Sequence, residues 1–595
     1  MDTETLLRPD VVDAATLPDA LRLTAARYPD LVAVRTLDGS VSITWRELLA
    51  RVEALAGGLA KLGVRRGDTV AMMVGNRPEF HLADLAVAML GATPFSIYLT
   101  SPLEEVRYLL QDAAAKIAIV ERAWLPMMRA AGGPEHVVVV DHQPGDLALA
   151  LAEVEGSDPG FDASAASAEI SPDDVLTLIY TSGTTGAPKG VQLSHRNVLA
   201  AARAVGQMME LPAGGRLISW LPSAHVAERM AHHYIPTVYA ATITCCPDPT
   251  QVVSYLAELH PTWFLAVPRI WEKVKAALEA NWAALPEEQR VAIDAALEAA
   301  TRRVRLVQRG EPVPPDLEEQ VARDDERIFA GVRAALGLDQ VLSVNVGAAP
   351  TPVEVVEFFH AIGIELAELW GMSETCGAGT CNRPGAVRIG TVGPPSPGVE
   401  LKLAPDGEVL VRGEVVMVGY RNAPDRTAET VDSDGWLHTG DIGVLEDDGC
   451  LRIVDRKKEI IINAAGKNMS PANIEARIKA SSPLIGQAVC IGDARPYNVA
   501  LIVLDPDYAP QWSARIGLEP TALAGLAAAA PVQAAIHEAM EQANTRLSRV
   551  EQIKKFTIIE GDWAPGGDEL TPTMKLRRRP IAAKYAAQIE AMYGS

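Results

Sequence analysis

The chain contains little cysteine. Six cysteines in 595 residues are too few for a disulfide scaffold. None of them forms a CxxC pair or a Cys/His set at the spacing of zinc ligands. We therefore expect free thiols in a reducing compartment at Cys245, Cys246, Cys376, Cys381, Cys450 and Cys490.

The chain also lacks an excess of positive charge. Its 54 Lys and Arg residues stand against 76 Asp and Glu residues, which gives a net charge of −22. We expect no nucleic-acid partner, because general nucleic-acid affinity comes from phosphate neutralisation by Lys and Arg. A local positive site for a small phosphate-bearing ligand is still compatible with an acidic protein.

No long hydrophobic run is present. The most apolar stretch, residues 82–99, is interrupted by Asp84, Gly91 and Pro94, which favours a buried helix, a turn and a strand over a membrane span. The first ten residues carry acids where a secretory signal needs a basic region and an apolar run. We therefore expect a cytoplasmic location.

What is present is typical of a globular protein with several folding units. Hydrophobic residues make up 48% and charged residues 22%, and the length suggests two to four units. The first third alternates helical spacing, at 17–28 and 45–63, with apolar strands such as 69–74. Repeated units of this length predict an α/β fold in which helices cover parallel sheets.

Residues 270–340 differ from the rest because they are rich in Ala, Glu and Arg. Their spacing predicts a helical hairpin broken between Gly310 and Pro315. The hairpin is either a solvated bracket or a substrate-specific insertion. A membrane-facing insertion, giving a peripheral membrane contact, is the third alternative.

The last part of the chain predicts a separate small domain. Residues 386–455 shift to short strands and turns, and the basic run 456–458 follows. The ~130 residues after it look like a small α+β domain. We place the boundary at Lys458, which divides the chain into 1–457 and 458–595.

Residues 180–190 form the most informative segment, between two apolar strands. Its glycines let successive N–H groups point at one anion, its hydroxyls add donors, and its lysine adds a positive charge. It is not a Walker A loop, because Gly190 rather than Ser or Thr follows the lysine. The segment predicts a phosphate site formed by Thr181, Ser182, Gly183, Thr184, Thr185, Gly186 and Lys189.

With six further motifs in order, the chain resembles the AMP-forming acyl-CoA synthetases, a family related to adenylation domains and luciferases. The six are residues 221–229, 347–350, 370–375, 435–441, 455–458 and 570–575. The resemblance implies a large N-terminal domain with a β-barrel-like subdomain and a small mobile C-terminal domain. It also implies two reactions: a carboxylic acid and MgATP give an acyl-adenylate and pyrophosphate, and coenzyme A then takes the acyl group.

The resemblance assigns the nucleotide site residue by residue. An aromatic face at Trp370, where the family commonly has tyrosine, would stack on adenine. Asp441 would accept hydrogen bonds from the ribose hydroxyls, and Arg456 would contact the ribose or phosphate. The other residues implied to line the AMP are Gly347, Ala348, Ala349, Glu368, Leu369, Gly371, Met372 and Ser373.

The same resemblance names the catalytic groups. Lys575 would bridge the acid oxygen and the α-phosphate, which removes the repulsion between two anions in the transition state. Glu374, with the hydroxyl of Thr184, would hold Mg²⁺, and His225 would stand at the carboxylate end of the acid pocket. Lys458 would be the domain hinge, and two residues would line the coenzyme A tunnel: Gly466 and Lys467.

The acid itself stays open at this level. The form of residues 221–229 and the helical insertion resemble the long-chain fatty acyl-CoA synthetases, so a long-chain fatty acid is our first expectation. A bulky terpenoid or polyketide acid is the alternative substrate. The alternative functions are an acyl-AMP ligase feeding a carrier protein, a luciferase-type oxygenase and a non-catalytic scaffold. The sequence predicts no oligomeric state.

Overall fold

The computed structural model describes residues 9–181, 187–464, 467–519, 522–571 and 574–594. The chain folds into a large and a small part, each built from sheets with helices packed on them. The predicted α/β class is confirmed. The six cysteines are unpaired and buried, and no helix of the described residues is long and apolar enough to cross a membrane.

Helices make up much of both parts. Many of them begin at a cap that the sequence supplies; in the third helix, for example, Thr44 and Glu47 exchange the two hydrogen bonds of a capping box. Among the described residues the helices of the large part are α1 (Pro9–Val12), α2 (Leu17–Arg27), α3 (Trp45–Lys61), α4 (Pro78–Met89), α5 (Leu103–Ala113), α6 (Leu125–Ala130), α7 (Leu151–Glu155), α8 (Ala163–Ala168), α9 (His195–Met208), α10 (Val226–Arg229), α11 (Ile235–Tyr239), α12 (Val252–Leu259), α13 (Pro268–Ala283), α14 (Glu287–Gln308), α15 (Pro315–Asp324), α16 (Ala330–Ala335), α17 (Val353–Ala361) and α18 (Pro424–Thr430). Those of the small part are α19 (Pro471–Ser481), α20 (Tyr508–Arg515), α21 (Leu523–Ala528), α22 (Ala530–Thr545), α23 (Arg578–Lys584) and α24 (Ala586–Tyr593).

The strands are short and mostly buried. In the described residues of the large part they are β1 (Val32–Thr36), β2 (Ser42–Thr44), β3 (Thr69–Met73), β4 (Thr93–Ser96), β5 (Ala115–Val120), β6 (Val137–Val139), β7 (Leu149–Ala150), β8 (Val175–Thr181), β9 (Lys189–Ser194), β10 (Arg216–Ser219), β11 (Thr242–Cys245), β12 (Trp263–Ala266), β13 (Ser343–Val346), β14 (Leu366–Trp370), β15 (Thr380–Cys381), β16 (Glu400–Leu403), β17 (Glu408–Arg412), β18 (Gly419–Tyr420), β19 (Leu437–Leu445) and β20 (Leu451–Arg456). In the small part they are β21 (Ile461–Ile462), β22 (Asn468–Met469), β23 (Ile485–Ile491), β24 (Asn498–Leu504) and β25 (Ile553–Ile558).

Three sheets of the large part position the site. The largest runs β18-β9-β8-β4-β3-β5-β6-β7, and its strands from β8 to β7 are parallel. In a second sheet, β12, β13 and β14 are also parallel, so their carboxyl ends lie at one edge. In the third, the antiparallel sheet β16-β17-β19-β20, Asp441 lies opposite Arg456.

The helical insertion differs in one respect from the predicted hairpin. The break between Gly310 and Pro315 is there, because α14 ends at Gln308 and α15 begins at Pro315. A second break separates α13 from α14, so the first arm is not a single helix. Its physical reason is Pro286, since a proline disfavours helical backbone at the residue before it.

The insertion packs firmly on the large part through aromatic side chains. The fully buried ring of Trp271 on α13 makes edge contacts with Phe264, at 5.8 Å between centroids, and with Phe359, at 4.9 Å. Rings in this geometry contribute beyond the area that they bury. The first helix of the insertion is therefore fixed to the sheet that contains β12.

The small part is organised around the sheet β23-β24-β25. Residues on one face of β24, such as Val503, belong to the same apolar cluster as Leu570. Arg578 pairs with Glu475 at 2.6 Å and with Glu459 at 3.0 Å, which holds the beginning of α23. These contacts fix both sides of the turn that carries Lys575.

Candidate functional site

The predicted phosphate loop lies at the end of a strand pair. Strand β8 runs antiparallel to β9, and Thr181 lies opposite Lys189. The loop residues 182–186 are outside the described residues. The Lys189 Nζ lies 4.5 Å from the centroid of the Tyr420 ring, and burial lowers the pKa of this lysine while the carboxylate of Glu374 opposes the shift.

Glu374 is held in place by a neighbouring tyrosine. It lies in a short turn after β14 and is almost fully buried, and its Oε1 accepts a hydrogen bond of 2.7 Å from the Tyr420 hydroxyl. Tyr420 thus fixes the carboxylate beside Lys189. Sequence reasoning missed Tyr420, which has no motif of its own.

A metal ion bound at this place would take most of its ligands from the substrate. In the part of the chain that the structure describes, no group of three or more His, Cys, Asp or Glu side chains could hold a metal ion. Magnesium commonly takes one or two carboxylates together with substrate phosphates. A buried single carboxylate next to a phosphate-type loop fits that donor set.

The residues predicted to lie against adenine, 347–349 and 370–371, are called the adenine wall here. They lie where β13 and β14 end. A Cβ added at Gly347 would lie 2.7 Å from the Leu369 Cδ1, and one added at Gly371 would lie 2.2 Å from the carbonyl oxygen of Gly377. Only glycine therefore fits at position 371, where the clash is with backbone, and a side chain at position 347 would require Leu369 to move. Ala348 has φ of +70°, a conformation that costs an L-residue energy and that clusters at functional sites.

Glu368 is the unusual acid of this segment. It lies on β14, and burial raises its pKa to about 7. Its carboxyl therefore changes charge near neutral pH beside the predicted adenine wall.

A chain of hydrogen bonds joins the tryptophan to the predicted ribose carboxylate. The Trp370 Nε1 donates to the Asp441 Oδ2 at 2.8 Å, and the Arg456 Nε lies 2.7 Å from the Asp441 Oδ1. The antiparallel pairing of β19 with β20 places Arg456 there. A Cβ at Gly379 would come within 2.6 Å of the indole, so Trp370 packs directly against this glycine.

The tryptophan thus makes a contact that the sequence did not reveal. Its ring was predicted to stack on adenine. Its N–H in addition orients the Asp441 carboxylate from the opposite side to Arg456. Only the indole N–H, not the apolar ring, can make this bond.

His225 caps the short helix α10. Its Nδ1 accepts a hydrogen bond of 3.1 Å from the backbone N–H of Ala227. Burial and the charge of Lys575 lower its pKa to about 4. The ring is therefore neutral at physiological pH, with its proton on Nε2, which makes Nε2 a hydrogen-bond donor.

Two buried charges after His225 anchor this helix. Glu228 accepts hydrogen bonds from the Ser219 hydroxyl at 2.6 Å and from the Asn76 amide at 3.0 Å. Arg229 pairs with Asp84, and both side chains are buried. Buried charges with satisfied partners hold a unique geometry. The sequence motif named Glu228 and Arg229; Asp84 stood out only as an acid within an apolar run.

Lys575 comes to this site from the small part of the chain. Its backbone N–H donates to the Thr571 Oγ1 at 3.0 Å, and the Thr571 N–H donates back to the Lys575 carbonyl at 2.8 Å. The residue as a whole is exposed, but its ammonium group lies among charged groups of both parts. Desolvation, followed by the charge of Arg456, lowers its pKa, and Asp441 and Glu374 oppose this.

The structure therefore brings Lys575, Arg456, Asp441, Glu374 and His225 into one electrostatic neighbourhood. The other predicted residues lie elsewhere. Lys458 follows β20, near enough for its charge to act on Lys189. Lys467 is exposed and immediately precedes strand β22, and its backbone N–H donates to the Asn463 Oδ1 at 2.9 Å. Gly466 and Thr184 are outside the described residues.

Comparisons with known proteins point in one direction. The family model described as AMP-binding enzyme matches residues 21–421, and the model described as AMP-binding enzyme C-terminal domain matches residues 458–595. The first match covers more than half of the chain. The predicted boundary at Lys458 itself stays a prediction.

Relatives and solved structures agree with the family match. The chain is 46% identical over 453 residues to fadD11 of Mycobacterium tuberculosis, covering 76% of this chain and 79% of that protein. It is 37% identical over 577 residues to the long-chain-fatty-acid–CoA ligase FadD15 of the same organism, covering 95% of both. The A domain of a carboxylic acid reductase from Segniliparus rugosus, solved with AMP and a co-purified carboxylic acid, has the same fold, with a TM-score of 0.73, 20% identity and coverage of 99% and 96%.

Replacing Trp370 with phenylalanine should weaken AMP binding while leaving the fold intact. The substitution keeps an aromatic face but removes the N–H bond to Asp441, and a hydrogen bond to a charged group contributes about 1.5–3 kcal/mol. We expect the Kd for AMP, measured by isothermal titration calorimetry, to rise about tenfold or more.

The matched control is Trp282→Phe, which removes an indole N–H from helix α13, where the ring packs against Phe358. Its Kd for AMP should equal that of the wild type. Equal binding by Trp370→Phe and the wild type would contradict a role for the indole N–H.

Proposed function

Because the chain belongs to the AMP-binding enzyme family, we propose that it is an ATP-dependent acyl-CoA synthetase for a hydrophobic carboxylic acid. The observation that carries the proposal is that Lys575 of the small domain lies close enough for the charges of the Asp441 carboxylate and the Arg456 guanidinium to act on its ammonium group. ATP and coenzyme A are the co-substrates. The protein forms an acyl-adenylate first and an acyl-CoA second.

The first step requires two anions to meet. The carboxylate oxygen of the acid attacks the α-phosphorus of ATP, and pyrophosphate leaves. Lys189, Arg456 and Lys575 supply positive charge around that point, which lowers the energy of a transition state richer in local negative charge. A bound triphosphate would favour the charged form of Lys575 and so oppose the lowering of its pKa.

Magnesium fits this site in the way that the family implies. When bound, the ion would neutralise part of the triphosphate charge. Glu374 would hold it, with its carboxylate oriented by Tyr420. Thr184 is the second proposed ligand.

The second step needs no nucleophile from the protein. The thiol of coenzyme A attacks the acyl carbon, and AMP leaves with the bridging oxygen. The six cysteines are buried, and burial raises the pKa of the thiols, for example at Cys246 to about 12. A thiol with so high a pKa is a poor nucleophile at neutral pH. Gly466 and Lys467 stay the proposed lining of the coenzyme A tunnel.

His225 is the proposed contact of the acid carboxylate. As a neutral ring with a proton on Nε2, it donates a hydrogen bond to an anionic oxygen without adding charge. Ala227, two residues on, packs against both large apolar clusters of this domain.

We propose a long-chain fatty acid as substrate. The support is the name of the relative FadD15, a long-chain-fatty-acid–CoA ligase. A cytoplasmic location is part of the same proposal.

Replacing Lys575 with alanine should separate the two steps. Removing a preorganised charge aimed at the transition state costs roughly 10²–10³ in rate, so acid-dependent ATP–pyrophosphate exchange should fall by at least that factor. Formation of acyl-CoA from a supplied acyl-adenylate should stay within about twofold, since the ammonium acts on the phosphorus and not on the acyl carbon.

The control for this experiment is Lys554→Ala, which removes an exposed lysine of the same domain. It should leave both steps unchanged. If Lys575→Ala slowed the two steps equally, the lysine would not be specific to adenylation.

The chain-length dependence tests the proposed acid. Each methylene that becomes buried contributes about 0.8 kcal/mol, so kcat/KM should rise up to about fourfold per carbon until the pocket is full. Saturated acids from C6 to C18, below their micelle concentrations, are compared with polycyclic acids by pyrophosphate release. A flat series together with a polycyclic acid at least tenfold better than palmitate would contradict the fatty-acid proposal and favour a bulky terpenoid or polyketide acid.

A further inference from the structure

Ion pairs join the small domain to the large domain. Among the described residues there are three of them across the boundary at Lys458. Two come from the first turns of α13 and one from α17. They are Arg269–Asp505 at 2.5 Å, Lys273–Asp507 at 3.0 Å and Arg546–Glu354 at 2.9 Å.

The pair of Arg269 with Asp505 differs from the other two in burial. The side chain of Asp505 is 6% exposed and that of Arg269 is 27% exposed, whereas the lysine of the second pair is 47% and its aspartate 73% exposed. Exposed pairs contribute little to stability. Separating a buried carboxylate from its partner is costly unless the carboxylate finds another partner or water.

Arg269 is rigidly connected to the predicted adenine wall. It lies three residues after strand β12, and β12 pairs with β13, which leads directly into Gly347. The Gly347 N–H donates to the Ala266 carbonyl at 3.3 Å. Trp271, two residues after Arg269, is fully buried. The guanidinium of Arg269 is therefore held at a fixed position relative to the predicted nucleotide site.

Asp505 is connected in the same way to Lys575. It follows directly after β24, and Val503 on that strand shares an apolar cluster with Leu570, five residues before the lysine. Leu570 also forms a bridge to Leu576, which closes the turn that carries Lys575. A displacement of Asp505 from Arg269 therefore displaces the lysine from the site.

Each member of this pair keeps another partner when the two domains separate. The Nη1 of Arg269 also lies 3.1 Å from the Glu272 Oε2 on the same helix. The Oδ1 of Asp505 accepts a hydrogen bond of 2.8 Å from the Tyr508 N–H at the beginning of α20. Neither charge would be left alone, so the pair can open at moderate cost.

We infer that Arg269 and Asp505 are positioning residues for the adenylation step. Their ion pair holds the small domain where Lys575 enters the site, and it opens to let the second step proceed. This inference rests on the proposed function. Arg269 lies at the beginning of α13, immediately before the helical insertion at 270–340.

The test uses the substitutions Arg269→Gln and Asp505→Asn in the full-length protein. Asp505→Asn removes the charge but keeps the Oδ1 acceptor for α20. We expect ATP–pyrophosphate exchange to fall about tenfold, the effect of a misplaced reacting group, while acyl-CoA formation from a supplied acyl-adenylate stays equal or rises. The double variant should lose no more than either single variant, because both remove one interaction.

The matched control is Arg305→Gln. Its partner Glu357 lies on α17, so this pair joins α14 to the body of the large domain and does not reach the small domain. Both steps should keep their wild-type rates in this variant. Equal losses in both steps for Arg269→Gln and Asp505→Asn would indicate a merely structural role and overturn the inference, as would wild-type exchange.

A measurement independent of activity separates this inference from the proposed function. Spin labels at Leu147→Cys and Ile516→Cys, both exposed, report the distance between the domains, and the six native cysteines are buried. Asp505→Asn should broaden or lengthen a narrow wild-type distance distribution, and an unchanged distribution overturns the inference. A wild-type protein that shows the narrow distribution but forms no adenylate with any acid contradicts the proposed function alone.

Discussion

The proposed function requires the ammonium group of Lys575 to reach a site that another domain builds. The large domain alone places Asp441 and Arg456 on the paired strands β19 and β20, and Glu374 in the short turn after β14. The lysine arrives on a turn closed by a bridge between Leu570 and Leu576. Adenylation needs positive charge where two anions meet. A charge carried on a separate domain can be supplied for that step and withdrawn for the next.

Positively and negatively charged side chains lie next to one another in the site, so no single sign of charge accumulates there. Arg456 and the Trp370 N–H both hold the Asp441 carboxylate, and Tyr420 holds Glu374 beside Lys189. Each charged group is therefore oriented by a neighbour that belongs to a different strand. Preorganised groups of this kind do not have to be reoriented when the substrate reacts. Such a site can exist within a protein whose net charge is −22.

Sequence reasoning found the groups that lie in motifs and missed their partners. Helices at 17–28 and 45–63 and the α/β class followed from periodicity, and the motifs named Lys575, Asp441 and Glu374. Asp84 pairs with Arg229 across 145 residues and Arg269 with Asp505 across 236, and no local pattern specifies such contacts. The break of the insertion at Pro286 was missed although its signal was present, because the helical periodicity on both sides outweighed a single proline.

The central claim is that the acid carboxylate attacks the α-phosphorus of ATP. A carboxylic acid labelled with ¹⁸O in both carboxyl oxygens tests it directly when it is incubated with ATP, coenzyme A and the protein. If the claim holds, mass spectrometry should find one ¹⁸O in each AMP, one in the acyl-CoA carbonyl and none in pyrophosphate. Unlabelled AMP, or label in orthophosphate accompanied by ADP, would contradict the account.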